Sequence, residues 1–159
     1  MTKKEYVQIL ADSLKKKFRI LEQIEQMNKE QTDLLSQEDV KLDEWERIVD
    51  AKAECIDELE LLDEGFDSIY QQVKEELTSD KDLYKEQIKV MQEYITKITA
   101  KSVDIQAQEV RNRELAQRAF NSLKKKSRVV KQSSRVANIY DTNMKKLNVI
   151  DAQFMDRKK

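Results

Sequence analysis

The 159-residue chain contains no proline and a single glycine, Gly65. Tight turns usually need glycine, which adopts unusual φ angles, or proline, which fixes φ. A chain with almost none of either has few turns, so it is expected to consist of a small number of long elements. Alanine, leucine, glutamate, lysine, glutamine and arginine are abundant, and these side chains lose little freedom on entering a helix. The composition predicts an all-α protein.

Histidine is absent, and Cys55 is the only cysteine. The lack of histidine removes the commonest general base and the commonest neutral metal ligand. One cysteine without histidine excludes the usual structural zinc sites, and a single glycine excludes a glycine-rich phosphate loop. Carboxylates are numerous, but on helix surfaces they are typical of solvated faces rather than of acid–base pairs. The sequence therefore predicts a protein that is not an enzyme and that needs no cofactor or metal.

The sequence also lacks the run of roughly 18 apolar residues that a membrane-spanning helix requires. Its start, MTKKEYVQILADSLKKK, is too charged for a secretion signal, and the apolar part is too short. One cysteine permits no internal disulfide, which agrees with a reducing cytosol. We therefore expect a cytoplasmic protein. Cys55 is interpreted as a small apolar residue at the edge of a buried helix face rather than as a reactive thiol.

Apolar residues recur at three- and four-residue steps through three segments, which predicts helices at about residues 3-36, 39-77 and 82-123. Long antiparallel helices joined by short loops form an elongated helical hairpin or three-helix bundle with coiled-coil-like packing. We assign residues 1-123 to such a bundle. Residues 124-159 are expected to form a basic C-terminal helix or tail that is partly disordered when free.

Polar residues interrupt the predicted apolar stripes. Lys17, Asn28, Gln31 and Ser102 count against a long continuous coiled-coil rod, although a buried asparagine can also fix helix register. Two further polar residues fall on or beside the third stripe, Glu109 and Asn112.

The breaks between helices are expected at LSQED and TSDKD, residues 35–39 and 78–82. Ser36 or Asp39 is a candidate cap for the start of the second helix, and the second break supplies the cap formers Thr78, Ser79 and Asp80.

Gly65 permits two interpretations. It can form a left-handed cap at a helix C-terminus, with Phe66 folding back over Leu62. Alternatively it lies inside a helix, where glycine costs about 1 kcal/mol relative to alanine. Helical spacing resumes at once in FDSIYQQVKEEL, so the cap is only slightly favoured.

The formal net charge of −1 hides a division along the chain. Residues 1–110 carry 16 basic and 27 acidic side chains, whereas residues 111–159 carry 14 basic and 4 acidic ones. This asymmetry indicates intramolecular complementarity or a separate partner at each end. The basic residues lack the interleaved aromatic residues of a nucleic-acid surface. The apolar face of the tail is too thin for firm membrane binding. The sequence therefore predicts neither a nucleic-acid partner nor membrane insertion.

The spacing within LDEWERIVDAKAECIDELELLDEGF resembles the FlgN family of bacterial flagellar export chaperones. The segment IQAQEVRNRELAQ is similar to a later helix of that family, and the ending QFMDRKK resembles FlgN-like proteins of clostridial type. The resemblance implies a cytosolic chaperone that binds the C-terminal helical segments of hook–filament junction proteins. It also implies delivery of these clients to the export ATPase and the export gate.

In the family, the binding segment lies toward the C-terminal helix of the chaperone. Carried onto this chain, the resemblance indicates ten apolar residues as partner-binding: Leu115, Phe120, Leu123, Val129, Val130, Val136, Ile139, Tyr140, Met144 and Leu147. Two alternatives stay open at this point. One is a chaperone of the FliT type that serves the filament-cap protein, and the other is a structural coiled-coil dimer without a transient client. The sequence also leaves a homodimer of the chaperone open.

Overall fold

The computed structural model describes residues 1–126 of the protein, and these form three long α-helices. The helices are α1 (Lys3–Leu35), α2 (Leu42–Ser79) and α3 (Lys85–Lys126). The prediction of an all-α bundle is confirmed. The helix bounds differ from the predicted ranges by at most three residues. Beyond Lys126, the predicted tail lies outside the described residues.

Helix α1 packs against both α2 and α3 and forms the larger interfaces of the bundle. It runs antiparallel to α2, because Lys3 contacts Glu76 near one end of the pair and Gln31 contacts Lys52 near the other. The short loop at residues 80–84 reverses the chain again, so α3 runs parallel to α1. Contacts between α2 and α3 are made by large side chains that reach across the gap between them.

Two separate groups of buried apolar side chains form the core. The main cluster contains 15 buried residues, and it runs from Val7 to Ile24 on α1, from Ile56 to Val73 on α2 and from Met91 to Ile105 on α3, with Tyr84 added from the preceding loop. The distal cluster contains six buried residues at the opposite end of the bundle, Leu34, Leu35, Trp45, Val49, Ala116 and Phe120.

The start of α1 is fixed by a capping box that the sequence analysis did not identify. The Thr2 hydroxyl accepts a hydrogen bond from the Glu5 backbone N–H, and the Glu5 carboxylate accepts one from the Thr2 N–H. The spacing Thr-x-x-Glu is the known signature of this motif, so the signal was present in the sequence.

The predicted cap of α2 was wrong. Ser36 ends α1 instead of starting α2, because its hydroxyl donates to the Thr32 carbonyl at 2.7 Å. Asp39 also lies outside α2, whose N-cap is Lys41 and has no side-chain capping bond. Acidic side chains at Asp43 and Glu44 in the first turn of α2 complement the positive end of the helix dipole.

The second break also differs from the prediction. The hydroxyls of Thr78 and Ser79 donate to the carbonyls of Lys74 and Glu75, so both residues close the last turn of α2. Asp80 is the C-cap of α2, and α3 begins only at Lys85.

Gly65 lies inside α2, so the slightly favoured cap interpretation was wrong. No described glycine has a positive φ, and α2 continues for fourteen residues to Ser79. Phe66 does not fold back as a cap but is buried in the main cluster. The burial of Phe66 and Val73 explains the continuous helix, since a break at Gly65 would remove both side chains from their seam.

None of the helices in residues 1–126 is long and apolar enough to cross a membrane.

We predict that Gly65→Ala raises the free energy of unfolding by about 1 kcal/mol, because alanine restricts the unfolded chain and favours the helix. A Cβ at this exposed position meets no atom within 4 Å, so no contact offsets the gain. Urea unfolding followed by circular dichroism measures the change. Ser68→Ala, another exposed position on α2, serves as a control with a smaller expected gain. A loss of stability in Gly65→Ala would support the cap.

Candidate functional site

A layer of polar side chains crosses the bundle between the main cluster and the distal cluster. The layer consists of Asn28 and Gln31 on α1, Lys52 on α2, and Glu109 and Asn112 on α3, all at most 1% exposed. Each helix passes from one apolar cluster through this polar layer to the other. The layer therefore separates the two cores along the whole cross-section of the bundle.

The centre of the polar layer is an ion pair between Lys52 and Glu109, which joins α2 to α3. The Lys52 ammonium also donates to Gln31 Oε1 on α1 at 2.9 Å. One lysine thus connects all three helices. Burial lowers the pKa of Lys52 below its usual value, and the adjacent Glu109 carboxylate partly opposes this shift.

Amide side chains join α1 to α3 on the other side of the layer. Asn112 Nδ2 donates to the Asn28 carbonyl at 2.9 Å, and the Thr32 hydroxyl lies 2.5 Å from Asn112 Oδ1. Asn28 Nδ2 donates to Gln108 Oε1 at 3.1 Å. These bonds give partners to Asn28 Nδ2 and to both polar atoms of the Asn112 side chain, which would be costly to bury unpaired, and they hold α3 in one axial position against α1.

A second buried ion pair lies beside the main cluster. Lys17 on α1 contacts Asp63 on α2 at 3.1 Å, and the two side chains are 2% and 6% exposed. Lys17 was predicted to interrupt the apolar stripe of α1, but no partner for it was predicted. Lys52 and Asp63 lie at three- and four-residue steps from Val49, Ile56, Leu59 and Phe66, so their places on the seam could have been read from α2.

The distal cluster contains the predicted partner-binding residues that fall within the described chain. Phe120 is 3% exposed and meets Trp45 edge to face, with ring centroids 5.2 Å apart. Leu115 and Leu123 are half-buried and pack against the same cluster. The structure therefore brings these three residues together against α1 and α2. The other seven lie outside the described residues: Val129, Val130, Val136, Ile139, Tyr140, Met144 and Leu147.

Cys55 is half-buried on α2, and its Sγ lies 3.9 Å from Gln23 Oε1 on α1. Burial raises the pKa of the Cys55 thiol, and the carboxylates of Glu58 and Glu54 raise it further. The thiolate, which is the nucleophilic form, is therefore disfavoured at neutral pH. Within residues 1–126, no group of three or more acidic, cysteine or histidine side chains is placed to hold a metal ion.

We predict that Lys52→Met lowers the free energy of unfolding by about 3–5 kcal/mol, because it leaves the Glu109 carboxylate buried without its counter-charge. The matched control is Lys101→Met, which breaks the Lys101–Glu25 pair between side chains that are about one-fifth exposed. That change should cost at most about 1 kcal/mol. Urea unfolding measures both variants. Equal losses would contradict the assignment of Lys52 as the centre of the layer.

The double variant Lys52→Met/Glu109→Leu extends this test. Replacing both charges by apolar side chains removes the desolvation cost, so much of the stability lost in Lys52→Met should return. Additive losses would show that the two residues do not act as a pair.

We predict that Cys55 reacts with a disulfide reagent more slowly in the folded protein than in urea at pH 7. The raised pKa leaves less thiolate at that pH, so the folded rate should approach the unfolded rate as pH rises. The variant Glu54→Gln/Glu58→Gln removes two exposed carboxylates and should move the rate profile to lower pH. An identical profile in folded and unfolded protein would contradict the shift.

Comparison with known proteins identifies one family. Residues 1–147 match the family described as FlgN protein, and this range covers most of the 159 residues. No curated protein sequence and no solved structure matches the chain. The match extends over all three helices and into the segment that follows them. The chain therefore belongs to the FlgN family of flagellar export chaperones, as its resemblance to that family indicated.

Proposed function

We propose that the protein is a cytosolic chaperone that binds the C-terminal helical segments of hook–filament junction proteins. It delivers these clients to the export ATPase and the export gate. Membership of the FlgN family over residues 1–147 is the observation that carries this proposal. The absence of histidine and the single, half-buried cysteine agree with a binding role rather than a catalytic one.

The client-binding surface lies toward the C-terminus of the chain. It comprises Leu115, Phe120 and Leu123 on α3, together with seven residues beyond Lys126: Val129, Val130, Val136, Ile139, Tyr140, Met144 and Leu147. Apolar residues at these spacings suit an incoming amphipathic helix, which would bury its own apolar face against them. Ordering such a segment costs free energy on binding, which keeps affinity moderate and permits release.

Charge supports a separate role for this end of the chain. Residues 111–159 carry 14 basic and 4 acidic side chains. A basic segment of this kind accelerates encounters with acidic partners by long-range attraction, and salt weakens the effect. Such steering is useful to a delivery factor, because it speeds capture of an acidic client without making the bound complex hard to release.

The packing of α1 favours the chaperone over a structural coiled-coil dimer that associates through α1. Four of its apolar residues, Leu10, Leu14, Leu21 and Ile24, are at most 1% exposed within a single chain. Because α2 and α3 already cover this face, it is not available to a second copy. A coiled-coil dimer that associates through α1 would need the same face to be exposed in the single chain.

We predict that removing residues from Lys124 onward abolishes client binding and leaves the helical content of residues 1–123 largely intact. Lys124 and Lys125 are exposed and lie beyond the last apolar residue of the distal cluster, so their loss removes no buried contact. Calorimetric titration with C-terminal peptides of the source organism's junction proteins measures binding. Circular dichroism measures helix content.

Removal of residues 153–159 alone is the matched control, since it deletes part of the basic end but keeps all ten proposed partner-binding residues. This shorter truncation should bind normally. Undiminished affinity after the longer truncation would refute the site assignment. A peptide of the filament-cap protein that binds more tightly than every junction peptide would indicate the FliT-type alternative.

A further inference from the structure

Three proposed client-binding residues are already engaged inside the free protein. Phe120 is buried against Trp45, and Leu115 and Leu123 pack on the same distal cluster. A client helix cannot reach Phe120 while α3 remains docked, and it can reach only part of Leu115 and Leu123, which are half-buried. If they bind a client, the last part of α3 must first separate from α1 and α2.

The polar layer defines where that separation can occur. Residues 113–126 of α3 lie beyond Asn112, the last member of the layer. Their apolar contacts are confined to the distal cluster, which has six buried residues against fifteen in the main cluster. Because apolar burial is the main stabilising term, this end is held by a small share of the total. Its release leaves the main cluster and the Lys52–Glu109 pair undisturbed.

Residues 113–126 and the nearby part of α2 carry opposite net charge. Residues 113–126 carry five basic side chains and one acidic side chain, and they run antiparallel to an acidic part of α2. That part includes Asp43, Glu44 and Asp50, which are all exposed. Attraction between exposed charges is weak and is screened by salt, so it adds little to the apolar contacts that hold the segment.

We propose that residues 113–126 form a latch that opens as a unit at the polar layer and exposes Leu115, Phe120 and Leu123 to the client helix. The facing surface of α1 and α2, made by Leu34, Leu35, Trp45 and Val49, is then an intramolecular competitor of the client. This inference rests on the proposed function for its ligand, an amphipathic C-terminal helix of a junction protein. The opening itself is a property of the free chain.

Competition between the α1–α2 surface and the client predicts the direction in which a substitution changes client affinity. The apparent dissociation constant equals the intrinsic constant divided by the fraction of open protein. A substitution on the α1–α2 side of the latch weakens the closed state but removes no contact to the client. It should therefore tighten client binding, although it destabilises the distal cluster. A substitution on α3 removes a client contact as well and should not tighten binding.

Val49→Ala and Val73→Ala provide a matched pair for the experiment. Both valines are buried on α2 and lose the same two methyl groups, but Val49 belongs to the distal cluster and Val73 to the main cluster. The full-length variants are titrated with the junction-protein C-terminal peptide. Val49→Ala should lower the apparent dissociation constant by about 5- to 30-fold, the range that one or two kcal/mol produces. Val73→Ala should leave it unchanged.

Phe120→Ala tests the opposite face of the latch. It should weaken client binding, or leave it unimproved, despite loosening the latch. An unchanged or weaker affinity in Val49→Ala, when the wild-type protein binds the peptide, would overturn the proposal. Equal tightening in Val49→Ala and Val73→Ala would also overturn it, because the effect would then follow from general destabilisation.

Hydrogen exchange tests the opening without a client. Amides of residues 113–126 should exchange faster than those of residues 91–109, and Val49→Ala should accelerate only the first group. Trp45 is the single tryptophan, so its emission should shift to longer wavelength in Val49→Ala as the indole meets water. Uniform protection along α3 up to its end would refute the latch. If no peptide binds, the proposed function is refuted. The hydrogen-exchange experiment then still tests whether the latch opens in the free chain.

Discussion

The ion pair between Lys52 and Glu109 is the interaction on which the arrangement of the three helices depends. Apolar stripes with three- and four-residue steps nearly repeat every seven residues, so a helix that slides by one heptad keeps most of its apolar contacts. The same slide would bury an ammonium and a carboxylate without partners, which costs far more than a lost methyl contact. Lys17 and Asp63 impose a second such requirement on α1 and α2. Two buried pairs, one on each side of the middle of α2, therefore fix a register that the apolar residues alone leave ambiguous.

The polar residues that fix the register also divide the apolar core into two clusters. Lys52, Gln31 and Asn28 occupy seam positions that leucine or isoleucine could fill, so the apolar clusters on either side do not merge. Stability is consequently distributed unevenly along the bundle, with most buried apolar side chains in the main cluster. The distal cluster relies on the contact between Trp45 and Phe120 for much of its large-side-chain packing. A protein divided in this way can change the packing of one end without unfolding the other.

The sequence was sufficient to predict the helices and the polar interruptions, but not the partners of those interruptions. The absence of proline and the near absence of glycine allowed only long helices, and Asn28, Gln31 and Ser102 were identified on their stripes from spacing alone. Pairing Lys52 with Glu109 requires the axial offset between α2 and α3, which depends on loop lengths and packing that no local pattern contains. The Gly65 cap was wrongly favoured because glycine has a strong local preference, whereas buried Phe66 and Val73 enforce the helix through tertiary packing. All ten partner-binding residues stay predictions: the structure shows only how Leu115, Phe120 and Leu123 pack in the free chain, and the other seven follow Lys126.

A chaperone for helical clients, the role proposed for this protein, faces two opposing requirements, and the divided core is suited to both. Its binding residues must be apolar enough to hold an amphipathic helix, yet apolar residues left open in the free protein invite association with unrelated chains. Burying Phe120 against Trp45 protects the residue, but complete integration into one continuous core would make its release as costly as unfolding. The polar layer limits the cost to the distal cluster, because the bonds around Lys52 and Asn112 can persist while residues beyond them move. The free energy of that limited opening is subtracted from the intrinsic affinity for the client. The resulting affinity is moderate, which suits the proposed role of releasing a client at the export gate.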